Sequence, residues 1–219
     1  MGIRITIDGE GEIIIKRRKE KGRTELEDIK PKHRPELTEP APRLEPEAKS
    51  LIFLRNIIDQ MEIRAESVFR PNQEDYETAY ALSGNEVIDM LHKFTSREVI
   101  KDASPMHIYT VTENKVKHIL EERGESPRII IDVHTHPYGI AELSDEDRKT
   151  IKKVAEVFKE KTQAKIYFGV HAVSDESFGK RREPEAINNR IRWRSITREH
   201  EVAFFDENGK PVKVKIWEQ

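Results

Sequence analysis

The chain has 219 residues, enough for one ordinary domain with an appendage, and its 39 Lys+Arg against 41 Asp+Glu leave a net charge of −2, so nothing global points to nucleic acid or an anionic membrane. It contains no cysteine, which excludes disulfides, thiolate metal sites and a cysteine nucleophile, so any metal must be held by histidines and carboxylates. There is no apolar run of about 18 residues, and the first stretch lacks a basic start, apolar stretch and cleavage site, so neither a membrane span nor secretion is expected and a cytoplasmic location is.

Ile3, Ile5 and Ile7 alternate with polar residues, and Ile13, Ile14 and Ile15 follow the turn Asp8-Gly9-Glu10-Gly11, which predicts a β-hairpin over 1–15. From Lys16 to about Glu45 the character changes. Lys16-Arg17-Arg18-Lys19 is followed by Pro31, Pro35, Pro40 and Pro42 among charges, with few apolar side chains to bury. This reads as a charged, proline-containing arm, and its basic cluster as a solvated run rather than a nucleic-acid contact. Residues 1–45 are therefore set apart from a main domain over 46–219. Charged residues make up 37% of the chain, against about 25% in an average domain, an excess that heat-adapted proteins organise into ion-pair networks.

Leu51, Leu54, Ile58 and Met61 recur at helical spacing and predict an amphipathic helix over 46–62. Two strands, Glu77–Leu82 and Glu86–Phe94, are expected on either side of the turn Ser83-Gly84-Asn85. The β-branched and aromatic run His107–Val111 reads as a strand, followed by a helix over Glu113–Arg123 with Thr112 as its N-cap. Residues 129–136 form a continuous apolar run ending in His134-Thr135-His136, as expected of a strand buried on both faces. Ile151, Val154, Ala155 and Phe158 share one face of a helix over 145–162, and Ala164–Val173 is a further buried strand. Strands near Ile191–Thr197, Val202–Phe205 and Val212–Trp217 close the chain, the last two joined by the turn-rich 206–211. The whole describes an α/β (α+β) domain, a mixed sheet flanked by helices.

His134 and His136 stand two apart on one strand, so their imidazoles leave the same face and can reach one ion. Pro137 ends the strand. Seven residues further, Ser144-Asp145-Glu146-Asp147 enters a helix with Ser144 at the N-cap and Asp147 at its third position, from which the loop can return a carboxylate to the histidines. Two imidazoles, one carboxylate and a fourth position open to water suit a catalytic zinc. Such an ion gives a nucleophile at neutral pH, a nearby carboxylate can move its proton, and a hydroxyl can steady the developing oxyanion. Glu77 and Glu86 each start a predicted strand and are both candidates for that carboxylate.

The string His134-Thr135-His136-Pro137, six residues, Ser144, two residues and Asp147 resembles the signature of the JAMM (MPN+) metalloprotease family, which is His-Ser/Thr-His-Pro, a spacer, then Ser-x-x-Asp, with a catalytic Glu far upstream. The resemblance covers residues 50–217 and implies an MPN-type single domain. It implies one zinc per chain, held by His134, His136 and Asp147, with Ser144 at the oxyanion and Glu77 as the catalytic carboxylate. The family pattern around that residue is Glu-x-x-Gly, apolar residues and a second Gly; Tyr80 stands at the first glycine and Gly84 at the second. The implied activity is hydrolysis of the isopeptide bond at the C-terminus of a ubiquitin-like protein, with that protein or its conjugates as partner. Three other readings stand beside it. A metal-binding MPN domain can serve as a non-catalytic scaffold, and relatives act on small-molecule or sulfur-carrier conjugates. Asp132-x-His134-x-His136 also resembles the metal motif of barrel amidohydrolases, but too few residues follow 132 for a barrel of about 250 residues.

Overall fold

The computed structural model describes residues 3–7, 13–17, 50–67, 78–94, 105–137, 140–174 and 179–218. The chain divides into two compact units, 1–43 and 44–219. In the first, β1 (Ile3–Ile7) and β2 (Ile13–Arg17) pair antiparallel with Ile5 opposite Ile15, which is the expected hairpin pairing. The predicted arm over 16–45 lies, apart from its first two residues in β2, outside the described residues.

The second unit is built on one nine-stranded mixed sheet. Its strands in chain order are β3 (Leu51–Leu54), β4 (Ala79–Gly84), β5 (Ile88–Lys93), β6 (Ile129–Pro137), β7 (Lys165–Val173), β8 (Arg182–Ile187), β9 (Arg190–Arg194), β10 (Glu199–Asp206) and β11 (Val214–Trp217). They lie in the order β11-β3-β5-β4-β6-β7-β10-β9-β8. Three helices accompany them: α1 (Arg55–Glu66), α2 (Pro105–Arg123) and α3 (Asp145–Lys161). A parallel pair needs a crossover, and α3 supplies it between β6 and β7. The sheet curls until its two edges meet, for Val214 N donates to Asn188 O at 2.9 Å, and Arg55 on α1 pairs with Glu183 on β8 at 2.6 Å. A mixed sheet with both parallel and antiparallel neighbours rules out the amidohydrolase barrel.

Strand β6 is buried on both faces, as its unbroken apolar run requires. Ile130 joins a core that α2 and α3 cover, through Ile108, Val116, Ile119, Val154 and Phe158. Ile131 and Val133 point the other way, into a core with Ile57, Ile58 and Met61 of α1. Buried polar links set the helices in register. Lys115 Nζ of α2 donates to both oxygens of Asp132 on β6, at 2.7 and 2.9 Å. His92 of β5 bonds Ser83 on β4 at 2.9 Å and Glu122 on α2 at 2.6 Å.

Three expectations fail locally. Residues 51–54 are not helical: they form β3, because pairing with β11 and β5 satisfies their backbone, and only from Arg55 does the chain become α1. Residues 107–111 are not a strand and Thr112 is not an N-cap, since one uninterrupted helix runs from Pro105 to Arg123. Strand β8 was not foreseen. Its hairpin to β9 turns on Asn188, at φ 56°, a left-handed conformation that Asn tolerates and that gave no glycine signal.

A line of hydrogen bonds ties the last residue of α1 to the sheet. Glu66 accepts from Ser195 Oγ at 2.6 Å, Thr197 Oγ1 at 3.2 Å and His200 Nε2 at 3.1 Å. His200 continues to His171 at 3.1 Å, and His171 to the Tyr80 hydroxyl at 2.9 Å. The His200 bond, with the two hydroxyl donors, holds the Glu66 carboxyl at about 2, against 4.5 when unperturbed. A depressed carboxyl stabilises the fold above its unfolded value and loses that contribution as pH falls towards the folded one. Denaturant unfolding should therefore show about 2 kcal/mol disappearing between pH 4.5 and 2, after allowing for partial exposure of the carboxylate. Glu66→Gln should lack that increment, and equal acid sensitivity of the two proteins would refute the assignment.

Candidate metal centre

The site forms where the end of β6 meets the start of α3. Alternation along β6 sends His134 and His136 to the face that α2 and α3 cover, and Thr135 to the other. Ser144 caps α3 in extended conformation (φ −69°, ψ 169°). Its hydroxyl accepts from Asp147 N at 3.1 Å, while Asp147 Oδ2 accepts from the Ser144 N–H at 2.8 Å and from the Ser144 hydroxyl at 2.7 Å. This reciprocal box fixes the Asp147 side chain on the first turn and leaves Oδ1 to face His134.

His134, His136 and Asp147 are brought together, with one donor atom from each lying within 4.8 Å of the others. His134 Nε2 is 3.0 Å from His136 Nε2 and 3.3 Å from Asp147 Oδ1, and His136 Nε2 is 3.8 Å from Asp147 Oδ2. Ligand bonds of about 2.0–2.1 Å in a tetrahedral zinc site imply donor separations near about 3.3 Å. The two separations from His134, 3.0 Å to His136 Nε2 and 3.3 Å to Asp147 Oδ1, lie close to that value. His136 Nδ1 lies 3.1 Å from the Ile140 carbonyl, which can only accept, so the ring proton sits on Nδ1 and the Nε2 lone pair is turned into the site. Burial pushes the Asp147 carboxyl up, but the bond and charge of His134, with the two Ser144 donors, outweigh it and hold the group well below the usual carboxylate range. Two imidazole nitrogens at contact distance beside an ionised carboxylate fit a shared cation. The side chains are 18–26% exposed, so an ion there keeps one side open to a ligand.

Of the two candidate carboxylates, Glu77 lies outside the described residues. Glu86 is exposed in the turn between β4 and β5, because Gly84 pairs with Ile129, at the far end of β6 from the histidines. Gly84 is needed at that turn, where a Cβ would overlap the Val87 carbonyl. Tyr80 is fully buried on the α1 face and bonded to His171, so its bulk is directed away from the metal face. Beside the site runs a groove of about 610 Å³ between Ile140, Ala172 and the charged face of β9 and β10. Cross-strand pairing leads from His136 through Ala172 and Glu201 to Arg192. Arg190 is ion-paired there with Glu201 and, at 3.3 Å, with Glu142. Sequence reading did not find this groove, since its charges alternate on strands that resemble any solvated face. It also missed the Lys115–Asp132 pair, although an aspartate inside an apolar strand signals a buried partner.

No family model matches the chain, and no curated protein matches it in sequence. Among the described residues no helix is long and apolar enough to cross a membrane.

Proposed function

We propose that this chain is a zinc-dependent isopeptidase of the JAMM (MPN+) type, acting at the C-terminus of a ubiquitin-like protein. The observation that carries this reading is the convergence of His134, His136 and Asp147 at ligand distances, with Ser144 hydrogen-bonded to the carboxylate. A sheet with helices on both faces agrees with an MPN-type domain. Zinc, when bound, supplies a Lewis acid and an activated water near neutral pH.

The chain's residues supply the rest. The two imidazoles and Asp147 hold the ion, and the Ile140 carbonyl keeps His136 in the tautomer that can ligate. Ser144 binds Asp147 through both its N–H and its hydroxyl. The N–H can keep the box closed while the O–H turns to the carbonyl oxygen under attack, where a single donor contributes several kcal/mol (about 2.7–4). Glu77 takes the proton from the attacking water and returns it to the departing lysine amine. An extended C-terminal tail suits the groove along Ala172 and Glu201, whose alternating charges favour a polar peptide over an apolar ligand.

The test is hydrolysis of isopeptide conjugates of ubiquitin-like proteins from the same organism. Turnover should vanish on chelation and return with zinc, and thiol alkylation should leave it untouched because the chain has no cysteine. Full turnover by metal-free protein, or a trapped acyl-enzyme, would sink the reading.

A further inference from the structure

Between β6 and α3 the chain leaves a large apolar side chain in water. Ile140 is 66% exposed, while Ala141 and Leu143 after it are buried in the core that α2 and α3 cover. Its carbonyl accepts from Glu142 N at 2.9 Å and lies 3.1 Å from His136 Nδ1. The backbone is thus pinned on both sides, and the side chain is held out where it borders the groove beside the metal centre. Single exposed apolar residues are ordinary on a surface. This one is set apart by its place, since the same residue touches a metal ligand through its carbonyl.

The rest of the groove offers little to select with. Its charges are largely paired with one another: Glu201 with Arg190 and Arg192, and Glu142 with Arg190. Charges neutralised by their neighbours suit a polar tail but give it little net field to read. Ala172, which pairs with His136, is small and leaves the floor open. Among the described residues that line the groove, Ile140 is the one large aliphatic side chain. We propose that Ile140 is the specificity-determining residue of the site, packing against an apolar side chain of the tail close to the scissile bond. This rests on the isopeptidase reading above and adds the class of tail, polar at most positions and apolar where it meets Ile140. The contact belongs to the side chain, whereas the hold on His136 belongs to the backbone, so substitution separates the two.

The experiment uses six-residue tails joined through their C-terminal carboxyl to the side-chain amine of a fluorescent lysine. Leucine, aspartate or glycine is placed in turn at each of the last four positions. Hydrolysis by the zinc-loaded full chain gives kcat and KM, and fluorescence anisotropy with the chelated full chain gives binding without turnover. One position should favour leucine over aspartate by about tenfold, the effect of covering much of an isoleucine side chain. Ile140→Ser should remove that preference, raising KM about tenfold for the leucine tail and little for the all-glycine tail, with kcat and bound zinc unchanged. Ile140→Val should restore most of it. A leucine preference that survives Ile140→Ser, equal weakening of the glycine and leucine tails, or an effect that instead follows replacement of the lysine by ornithine overturns the inference and leaves the proposed function standing. The leucine preference in binding, with no tail hydrolysed, would overturn the proposed activity and support the subsite.

Discussion

His134→Ala and Asp147→Ala should each lower zinc affinity by more than about 100-fold, the upper range for losing a mere outer-shell partner. Both should abolish hydrolysis. The two variants separate metal loss from structural damage. Asp147 also closes the helix box with Ser144, so its removal costs about 1 kcal/mol of stability besides the metal. His134 has no part in the box, so its replacement should leave the helix cap intact. Saturating zinc at about 100 times its dissociation constant stabilises a folded site by about 2.7 kcal/mol. The unaltered protein should therefore melt higher with zinc than without, and both variants should lose that increment. Elemental analysis and paired melting curves check this. Unaltered protein that takes up no metal, or variants that keep the full zinc-dependent rise, would remove the metal centre.

The metal centre was legible because its ligands are local. Three of its parts lie within fourteen positions, and strand alternation and helix capping then fix where those side chains point. The strands that carry it were legible for the same reason, since β6 and β7 are apolar runs bounded by turns. What failed was local preference under tertiary pressure. His107–Val111 is rich in β-formers, yet Ile108, Val111, Thr112, Lys115, Val116 and Ile119 are all buried at helical spacing. The longer period was present in the sequence and outweighed the propensity of five residues. In 51–61 the opposite happened. Leu51, Leu54, Ile58 and Met61 share a helical period only because a strand and a helix meet between them, and partners more than 150 residues later in the chain decide that Leu51–Leu54 is extended. Such long-range pairing leaves no trace in a window. The hydrogen bond from Thr78 N to the Thr135 hydroxyl was hidden likewise, because it joins residues 57 apart.

Glu77→Gln should keep fold and zinc and lower the hydrolysis rate by about 10²–10⁴-fold, the usual contribution of a positioned acid/base. Glu86→Gln should change the rate little. The residues alone left both open and the resemblance favours Glu77; the β4–β6 register sets Glu86 away from the histidines. Ala79 pairs with His134 and Gly84 with Ile129. Glu86 lies beyond Gly84, so at least five residues of strand, roughly 17 Å, stand between it and the first histidine. A general base must come within about 3 Å of the proton it takes, directly or through one water. No rotamer of Glu86 spans that gap. Thr78, the residue that follows Glu77 in the sequence, is bonded to Thr135 between the two ligands. The glutamine variant should also keep the zinc-dependent rise in melting temperature that the ligand variants lose, which distinguishes a proton-transfer defect from a binding one. A Glu77→Gln protein with normal turnover would take the carboxylate out of the mechanism. An inactive Glu86→Gln protein would mean that chemistry occurs at the other end of β6, where the described residues hold no cluster able to bind a metal.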